Sequence, residues 1–424
     1  MSEPKPEEKP FAIPKEMVWE AFRRVKANKG AAGVDGESIE EFEENREANL
    51  YKLWNRMASG SYFPPPVRAV DIPKKGGQGV RTLGVPTVAD RIAQTVARMH
   101  LEPIVEPLFH ADSYAYRPGR SAHNALRACR ERCWRTDWVL DLDIKAFFDS
   151  VDHDLMLDLV RRHTDCRWVL LYVERWLNAP LLRDGTQVQR ARGTPQGSAI
   201  SPLLANIFLH HAFDAWMAEQ FPTIRFERYS DDVIVHCVSE RQARFIWHRI
   251  DRRLEDWGLR LHPVKTRIVY CKDANRHGSH EHEQFNFLGY TFRPRLCKSK
   301  HGKYFAGFTP AVSNDALKEI GLKIRKWRLH LRSDADLNEL ARDINPVVQG
   351  WINHYGVFHP SALYPPLQRI NAYLARWGCR KYKRLRGSPR QATRLLATVA
   401  RREPNLFAHW RFGLRPVGWA AGAR

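Results

Sequence analysis

Tyr229-Ser230-Asp231-Asp232 decides how this chain is read. Two adjacent carboxylates lie between two short strand-like runs, Ile224 to Tyr229 and Val233 to Val238. Neighbouring residues of one strand point to opposite faces, so a continuous strand would not aim both carboxylates the same way. A hairpin turn would present them together at one edge. Burying two like charges is costly unless a cation compensates. Taken alone, the tetrapeptide is equally an ordinary acidic turn.

A second acidic strand end shifts the balance. Leu140-Asp141-Leu142-Asp143-Ile144 closes a β-rich segment from Val139 to Ile144 and continues as Lys145-Ala146-Phe147-Phe148-Asp149. Asp143, Asp231 and Asp232 would give three carboxylates from two strands. Hard oxygen ligands of this kind suit Mg²⁺. Two such ions can activate a 3′-hydroxyl and stabilise a leaving pyrophosphate. Asp141 competes with Asp143 on the same strand, and one of the two is expected to face elsewhere. Farther along, Arg192-Gly193-Thr194-Pro195-Gln196-Gly197-Ser198 is a Gly-rich turn that lets backbone approach a substrate. It leads into a helix expected to open with Ser201 as N-cap and Pro202 at the first helical position.

Composition bounds the partner. The 424 residues hold 68 Lys or Arg against 47 Asp or Glu, a formal charge of +21, and 43% are apolar. The chain is therefore globular, long enough for two or three domains, and suited to a polyanion. No apolar run approaches the length needed to span a bilayer, which argues against a membrane partner. The seven cysteines form no metal-binding pattern and are expected to be reduced thiols. Residues 1–14 are expected to be disordered, and Met1 to Pro10 lacks the features of a signal peptide.

Periodicity predicts a helix from Lys15 to Lys29, a turn at Gly33 to Gly36, and strands at Val67 to Ile72 and Val80 to Val85 around a Pro73 to Gly79 loop. Helices are predicted from Asp90 to Leu108, Asp154 to Arg162, Arg167 to Leu177 and Ala243 to Trp257, the last closed by Gly258. Beyond about residue 312 the pattern is helical and basic. Leu317, Ile320, Ile324, Trp327 and Leu331 form one stripe, and Leu367, Ile370, Leu374 and Trp377 another. From Lys323 onward there are 20 Lys or Arg against 5 Asp or Glu, a balance of +15. Trp351-Ile352-Asn353-His354-Tyr355 and Arg380-Lys381-Tyr382-Lys383-Arg384 mix cations with rings, as surfaces that track phosphates and stack on bases do. Helical spacing makes Trp351 and Tyr355 equally good core residues.

The ordered set of Asp143 with Phe147-Phe148, Thr194-Pro195-Gln196-Gly197 and Tyr229-Ser230-Asp231-Asp232 resembles the palm of reverse transcriptases. More narrowly, it is similar to the group II intron reverse transcriptase/maturase family. Further blocks fall in the family's order: Ile72-Pro73-Lys74 with Arg81 to Pro86, Asp90-Arg91, Ser113 to Ser121, Ser201 to Asn206, Gly258-Leu259 with Lys265-Thr266, and Phe287-Leu288-Gly289-Tyr290. Two departures stand out. The family's usual box has Ala where this chain has Ser230, and the Lys74 to Arg81 spacing is one residue longer, which leaves Lys74 and Lys75 as alternatives.

The resemblance implies an α/β right-hand polymerase with fingers at 15–138, palm at 139–295, and an α-helical thumb and maturase RNA-binding domain at 296–424. It implies Asp143, Asp231 and Asp232 as ligands of two Mg²⁺ ions, with Mn²⁺ a possible substitute. Lys74 or Lys75 and Arg81 would contact the triphosphate, Gln196 the incoming nucleotide, Phe148 the 2′ position, and Lys265 would act as general acid near pyrophosphate. Arg380, Lys381, Lys383 and Arg384 would face RNA. The implied partners are intron RNA, an RNA template, a DNA primer or target and dNTPs, in a bacterial cytoplasm at the nucleoid. Only Cys297 and Cys379 lie beyond residue 271, so no paired-cysteine HNH-type endonuclease is expected in the chain. The alternatives are a non-catalytic splicing maturase and a domesticated reverse transcriptase serving repair or phage defence.

Overall fold

The computed structural model describes residues 9–73, 79–299 and 301–417. The fold is mixed α/β, in two compact units: Met1–Ala125 with Trp138–Ile268, and Leu126–Asp137 with Val269–Arg424.

The first unit opens earlier than expected. Residues 1–8 of the segment expected to be disordered lie outside the described residues, but residues 9–14 are packed. The Phe11 amide donates to the Ala58 carbonyl at 3.1 Å, and Ile13 is buried. Helix Lys15–Asn28 follows, burying Val18, Phe22 and Val25 as its periodicity requires. The expected strands β1 (Val67–Pro73) and β2 (Val80–Val85) are present and pair antiparallel, Arg68 opposite Val85.

Strand β3 (Trp138–Asp143) precedes two short strands, β4 (Leu181–Arg183) and β5 (Thr186–Val188). They join the first sheet, in the order β2-β1-β4-β5, through a parallel β1–β4 pair that adjacency in sequence could not foretell. The second sheet carries the acidic residues. Strands β6 (Phe226–Tyr229) and β7 (Asp232–Cys237) form a hairpin, and β3 lies antiparallel beside β7. Successive residues point to opposite faces, and Val139, Leu140, Leu142, Val233, Ile234 and Val235 are all buried, so these strands are covered on both faces.

Helix Ser201–Leu209 begins one residue earlier than expected. Ser201 is its first residue and buried, and Ile200 occupies the cap position. Helix Glu240–Asp256 also starts early, because Ser239 caps it by accepting from the Gln242 amide, and Gly258 follows at φ +71°.

In the second unit, strands Phe285–Phe287, Tyr290–Lys298 and Tyr304–Val312 form an antiparallel sheet. Helices Asn314–Lys326, Leu337–Tyr355, Tyr364–Lys381 and Pro389–Arg402 then share one core. Leu367, Ile370, Leu374 and Trp377 are fully buried, each side chain contributing about 1.5–3 kcal/mol. The neighbouring stripe is shorter than its spacing suggests. The helix stops at Lys326, Arg328 takes φ +47°, and Leu331 remains exposed. The seven cysteines are free thiols, and among the described residues no helix is long and apolar enough to cross a membrane.

Candidate active site

The site grows from one register. Tyr229 pairs with Asp232 across the β6–β7 hairpin, so the turn consists of Ser230 and Asp231 alone. Ser230 sits at φ +62°, the left-handed region a tight two-residue hairpin requires at its first central position. On the other side of β7, Asp143 is directly opposite Asp232. The Ile144 amide approaches the Asp231 carbonyl at 3.4 Å. One strand end and one turn thus bring Asp143, Asp231 and Asp232 to the same edge of the sheet.

Asp141 corrects the expectation that it faces away from Asp143. The two are separated by Leu142 alone, and residues two apart on a strand share a face. Asp141 accepts from Arg267 Nε at 3.3 Å. Asp143 accepts from Lys265 Nζ at 3.0 and 3.1 Å. Each carboxylate therefore has its own cation.

The electrostatics suit a divalent cation. Burial, then the charge of Asp143, raises Asp231 above the ordinary carboxylate range, against a hydrogen bond from its own amide. Partial burial, then Asp231, Asp143 and Asp141, pushes Asp232 up to about 7, although its side chain keeps an open side toward solvent. Burial also pushes Asp141 up to about 7, against the pull of Arg267. Carboxylates crowded this way resist ionising together unless positive charge joins them. The donor set consists of hard oxygens, so the residues present fit a divalent metal.

Two further segments frame this edge. Arg81, exposed on β2, donates through Nε to Gln196 Oε1. The Gly84 amide donates to the Gln196 carbonyl at 2.7 Å. The 193–198 turn is anchored behind as well: Gly193 N to Val151 O and Thr194 N to Phe148 O, both 2.7 Å. A Cβ at Gly84 would meet Pro195 Cβ at 2.8 Å, and one at Gly197 would meet Gly84 O at 2.5 Å. Glycine at both places is what allows strand and turn to touch.

Phe148 is buried, edge-on to Phe147 at 5.3 Å, in the helical turn Phe147–Ser150. Lys74 and Lys75 lie outside the described residues.

The basic residues singled out near the C-terminus belong to the second unit and differ among themselves. Arg380, Lys383 and Arg384 are exposed. Lys381 instead donates to the carbonyls of Ser333 at 3.1 Å and Ala335 at 2.9 Å, and lies over Trp377. Trp351 stacks on Trp327 and Tyr355 meets Tyr290, so both rings serve packing.

Sequence reasoning passed over Arg228, which is wholly buried beside the acidic turn. The available signal was the run of charges Arg225, Glu227 and Arg228 inside a strand-like segment just before the acidic box.

Residues 72–292 match the family described as Reverse transcriptase (RNA-dependent DNA polymerase). Residues 317–396 match the Group II intron, maturase-specific domain. Group II intron-encoded protein LtrA of Lactococcus lactis subsp. cremoris is 30% identical over 246 residues, 57% of this chain and 40% of that protein. Protein YkfC of Escherichia coli (strain K12) is 38% identical over 269 residues, 61% of this chain and 66% of that protein. Nuclear intron maturase 1, mitochondrial, of Arabidopsis thaliana is 30% identical over 112 residues, 26% of this chain and 16% of that protein. The chain thus spans less than half the length of the Lactococcus protein and just under two thirds of the Escherichia one. The first family match alone covers more than half of the sequence, and on that ground the chain belongs to the reverse transcriptase (RNA-dependent DNA polymerase) family, with the group II intron maturase-specific domain following it.

Proposed function

We propose that this protein is an RNA-directed DNA polymerase that also acts as the maturase of a group II intron in splicing and retrohoming. The observation that carries the reading is the meeting of Asp143, Asp231 and Asp232 at one sheet edge, inside the segment that matches the family. In this reading fingers (15–138), palm (139–295) and thumb with maturase domain (296–424) form a right-hand polymerase. It works in a bacterial cytoplasm, at the nucleoid, on intron RNA, template RNA and a DNA primer or target.

Asp143, Asp231 and Asp232 would hold two Mg²⁺ ions. Bound there, the ions supply activation of the primer 3′-hydroxyl and charge compensation for the departing pyrophosphate. The chain's own residues do the rest. Arg81, oriented by Gln196, meets the triphosphate, with Lys74 or Lys75 beside it. Gln196, held by the Gly84 amide, lies against the incoming nucleotide. Phe148 fills the space a 2′-hydroxyl would need. Lys265, on a flexible and largely exposed side chain beside Asp143, turns to the leaving phosphate and gives it a proton.

Primer extension on an RNA template tests this. With dNTPs and Mg²⁺ the protein should extend a DNA primer, and Mn²⁺ should substitute with lower fidelity. An RNA-bound protein that extends no primer under either metal would leave only the maturase half of the proposal.

A further inference from the structure

We infer that Arg228 is a positioning residue for polymerisation, locking the Ser230–Asp231 peptide so that the Asp231 carboxylate is aimed before any metal or substrate arrives. The inference rests on reading the β6–β7 turn as part of the catalytic centre. It names a residue to which that reading gave no role.

The guanidinium is completely buried, and every N–H of its fork is used. Nε donates to Asp214 Oδ1 at 2.7 Å and Nη2 to Asp214 Oδ2 at 2.6 Å, a bidentate pair in which both side chains are wholly buried. Nη2 also donates to Ser113 Oγ at 2.7 Å. Nη1 donates to Asn206 Oδ1 at 3.2 Å and to the Ser230 carbonyl at 3.3 Å. Five donors meeting five acceptors exhausts what arginine offers. The backbone of the same residue is fixed too: Arg228 N donates to Asp112 O, and Arg228 O accepts from Tyr114 N, both at 2.9 Å.

The contact with the Ser230 carbonyl gives this network its function. That carbonyl belongs to the peptide joining Ser230 to Asp231. The nitrogen at the other end of the same peptide is Asp231's own, bonded directly to the Cα that carries the carboxylate. One peptide plane therefore has Arg228 on its oxygen and the proposed metal ligand on its nitrogen. Ser230 at φ +62° holds this plane in a conformation that L-residues adopt reluctantly and that needs outside support. Fixing the oxygen fixes the plane, and fixing the plane aims the carboxylate.

Stability alone is a poor reason for such a bridge. A buried ion pair is often no better than apolar residues of the same volume, and its attested use is to enforce one arrangement among several. The side-chain acceptors come from three separate elements: the Asp112 to Tyr114 segment, helix Ser201–Leu209, and the π-helical turn His210–Asp214 that ends on Asp214. A π turn offsets the residues after it, and such turns concentrate at functional sites.

The test compares wild type with Arg228→Lys, which keeps the charge but loses the fork, and Ser113→Ala, which removes one hydroxyl acceptor. Single-nucleotide addition is measured against dNTP and Mg²⁺ concentration. Amide hydrogen exchange of residues 229–232 is followed on the metal-free protein, with melting as the control. For Arg228→Lys, kcat should fall at least tenfold with dNTP KM within twofold of wild type, and half-saturating Mg²⁺ should rise severalfold. Exchange should quicken at the turn and not across the rest of the first unit. Ser113→Ala should shift kcat and Mg²⁺ dependence the same way by two- to fivefold, and it decides the matter if Arg228→Lys does not fold. Wild-type kcat, Mg²⁺ dependence and turn exchange in the folded variants would overturn the inference, leaving Arg228 a purely structural bridge. Failure of wild type itself to extend a primer would instead overturn the reading of the site.

Discussion

At the scale of single residues, the carboxylates were legible because their chemistry is. Adjacent Asp231 and Asp232 between strand-like runs, with Asp143 ending another, called for a compensating cation. Asp141 was misjudged through spacing, since residues two apart on a strand share a face. Arg228 was hidden because Ser113, Asn206 and Asp214 are remote in sequence. The shifted carboxylates make a pH prediction. Asp232 and Asp141 titrate near 7 when folded, against about 4 in an unfolded chain. Between those values the folded protein holds protons that the unfolded chain has lost. Stability from these groups is therefore full below about pH 4 and declines as pH rises toward 7. Without metal, the melting temperature of wild type should fall from pH 5 to 7.5 more steeply than that of Asp232→Asn, and Mg²⁺ should restore it above pH 7. Parallel curves for the two proteins would refute the crowding of charge at this edge. Phe148→Ala should raise the use of rNTPs relative to dNTPs. The variant loses about 3–5 kcal/mol of core packing, which affects both substrates alike, so their ratio is the quantity to measure. An unchanged ratio on the same template would remove Phe148 as the gate.

At the scale of elements, strand alternation and turn chemistry recovered β1, β2, β3 and the β6–β7 hairpin to within two residues at each end. They could not recover partners. The β1–β4 pairing joins residues more than a hundred positions apart, and nothing local encodes it. The hairpin of Tyr290–Lys298 with Tyr304–Val312 is similarly unannounced, because Pro294 and Gly307 interrupt both strands and polar residues occupy much of the first. The Gly84–Gly197 contact carries an element-scale prediction. Gly84→Ala places a methyl 2.8 Å from both Pro195 Cβ and Val67 Cγ1. Strand β2 should then lift from the turn bearing Gln196. We expect dNTP KM to rise about tenfold, equal to ~1.4 kcal/mol, with RNA affinity unchanged. Gly350→Ala, in a helix with open space at its Cβ, is the matched control and should leave KM alone. Equal KM values in all three proteins would show that the strand–turn contact does not position the nucleotide.

At the scale of the whole molecule, charge told more than pattern. The excess of +21 called for a polyanion, and most of it falls from Lys323 onward, where the maturase-specific domain matches. Which charges stay exposed was not legible, because exposure is set by packing: Lys381 is committed to the Ser333 and Ala335 carbonyls while Arg380, Lys383 and Arg384 are exposed. Replacing those three with Gln should flatten the slope of log K against log salt for intron RNA by about two to three units, at roughly 0.7–0.9 per phosphate contact. Lys381→Gln should change the slope little. A triple variant with the wild-type slope would move the RNA surface elsewhere. The account's central claim, that Asp143, Asp231 and Asp232 form a polymerase centre, is tested most directly by single-turnover nucleotide addition on an RNA template, with RNA binding measured on the same preparations. Wild type should extend the primer. Asp231→Asn should bind RNA with wild-type affinity yet lose at least about 10²- to 10³-fold in rate, the size of losing one preorganised electrostatic contact. Extension by Asp231→Asn at near wild-type rate would contradict it.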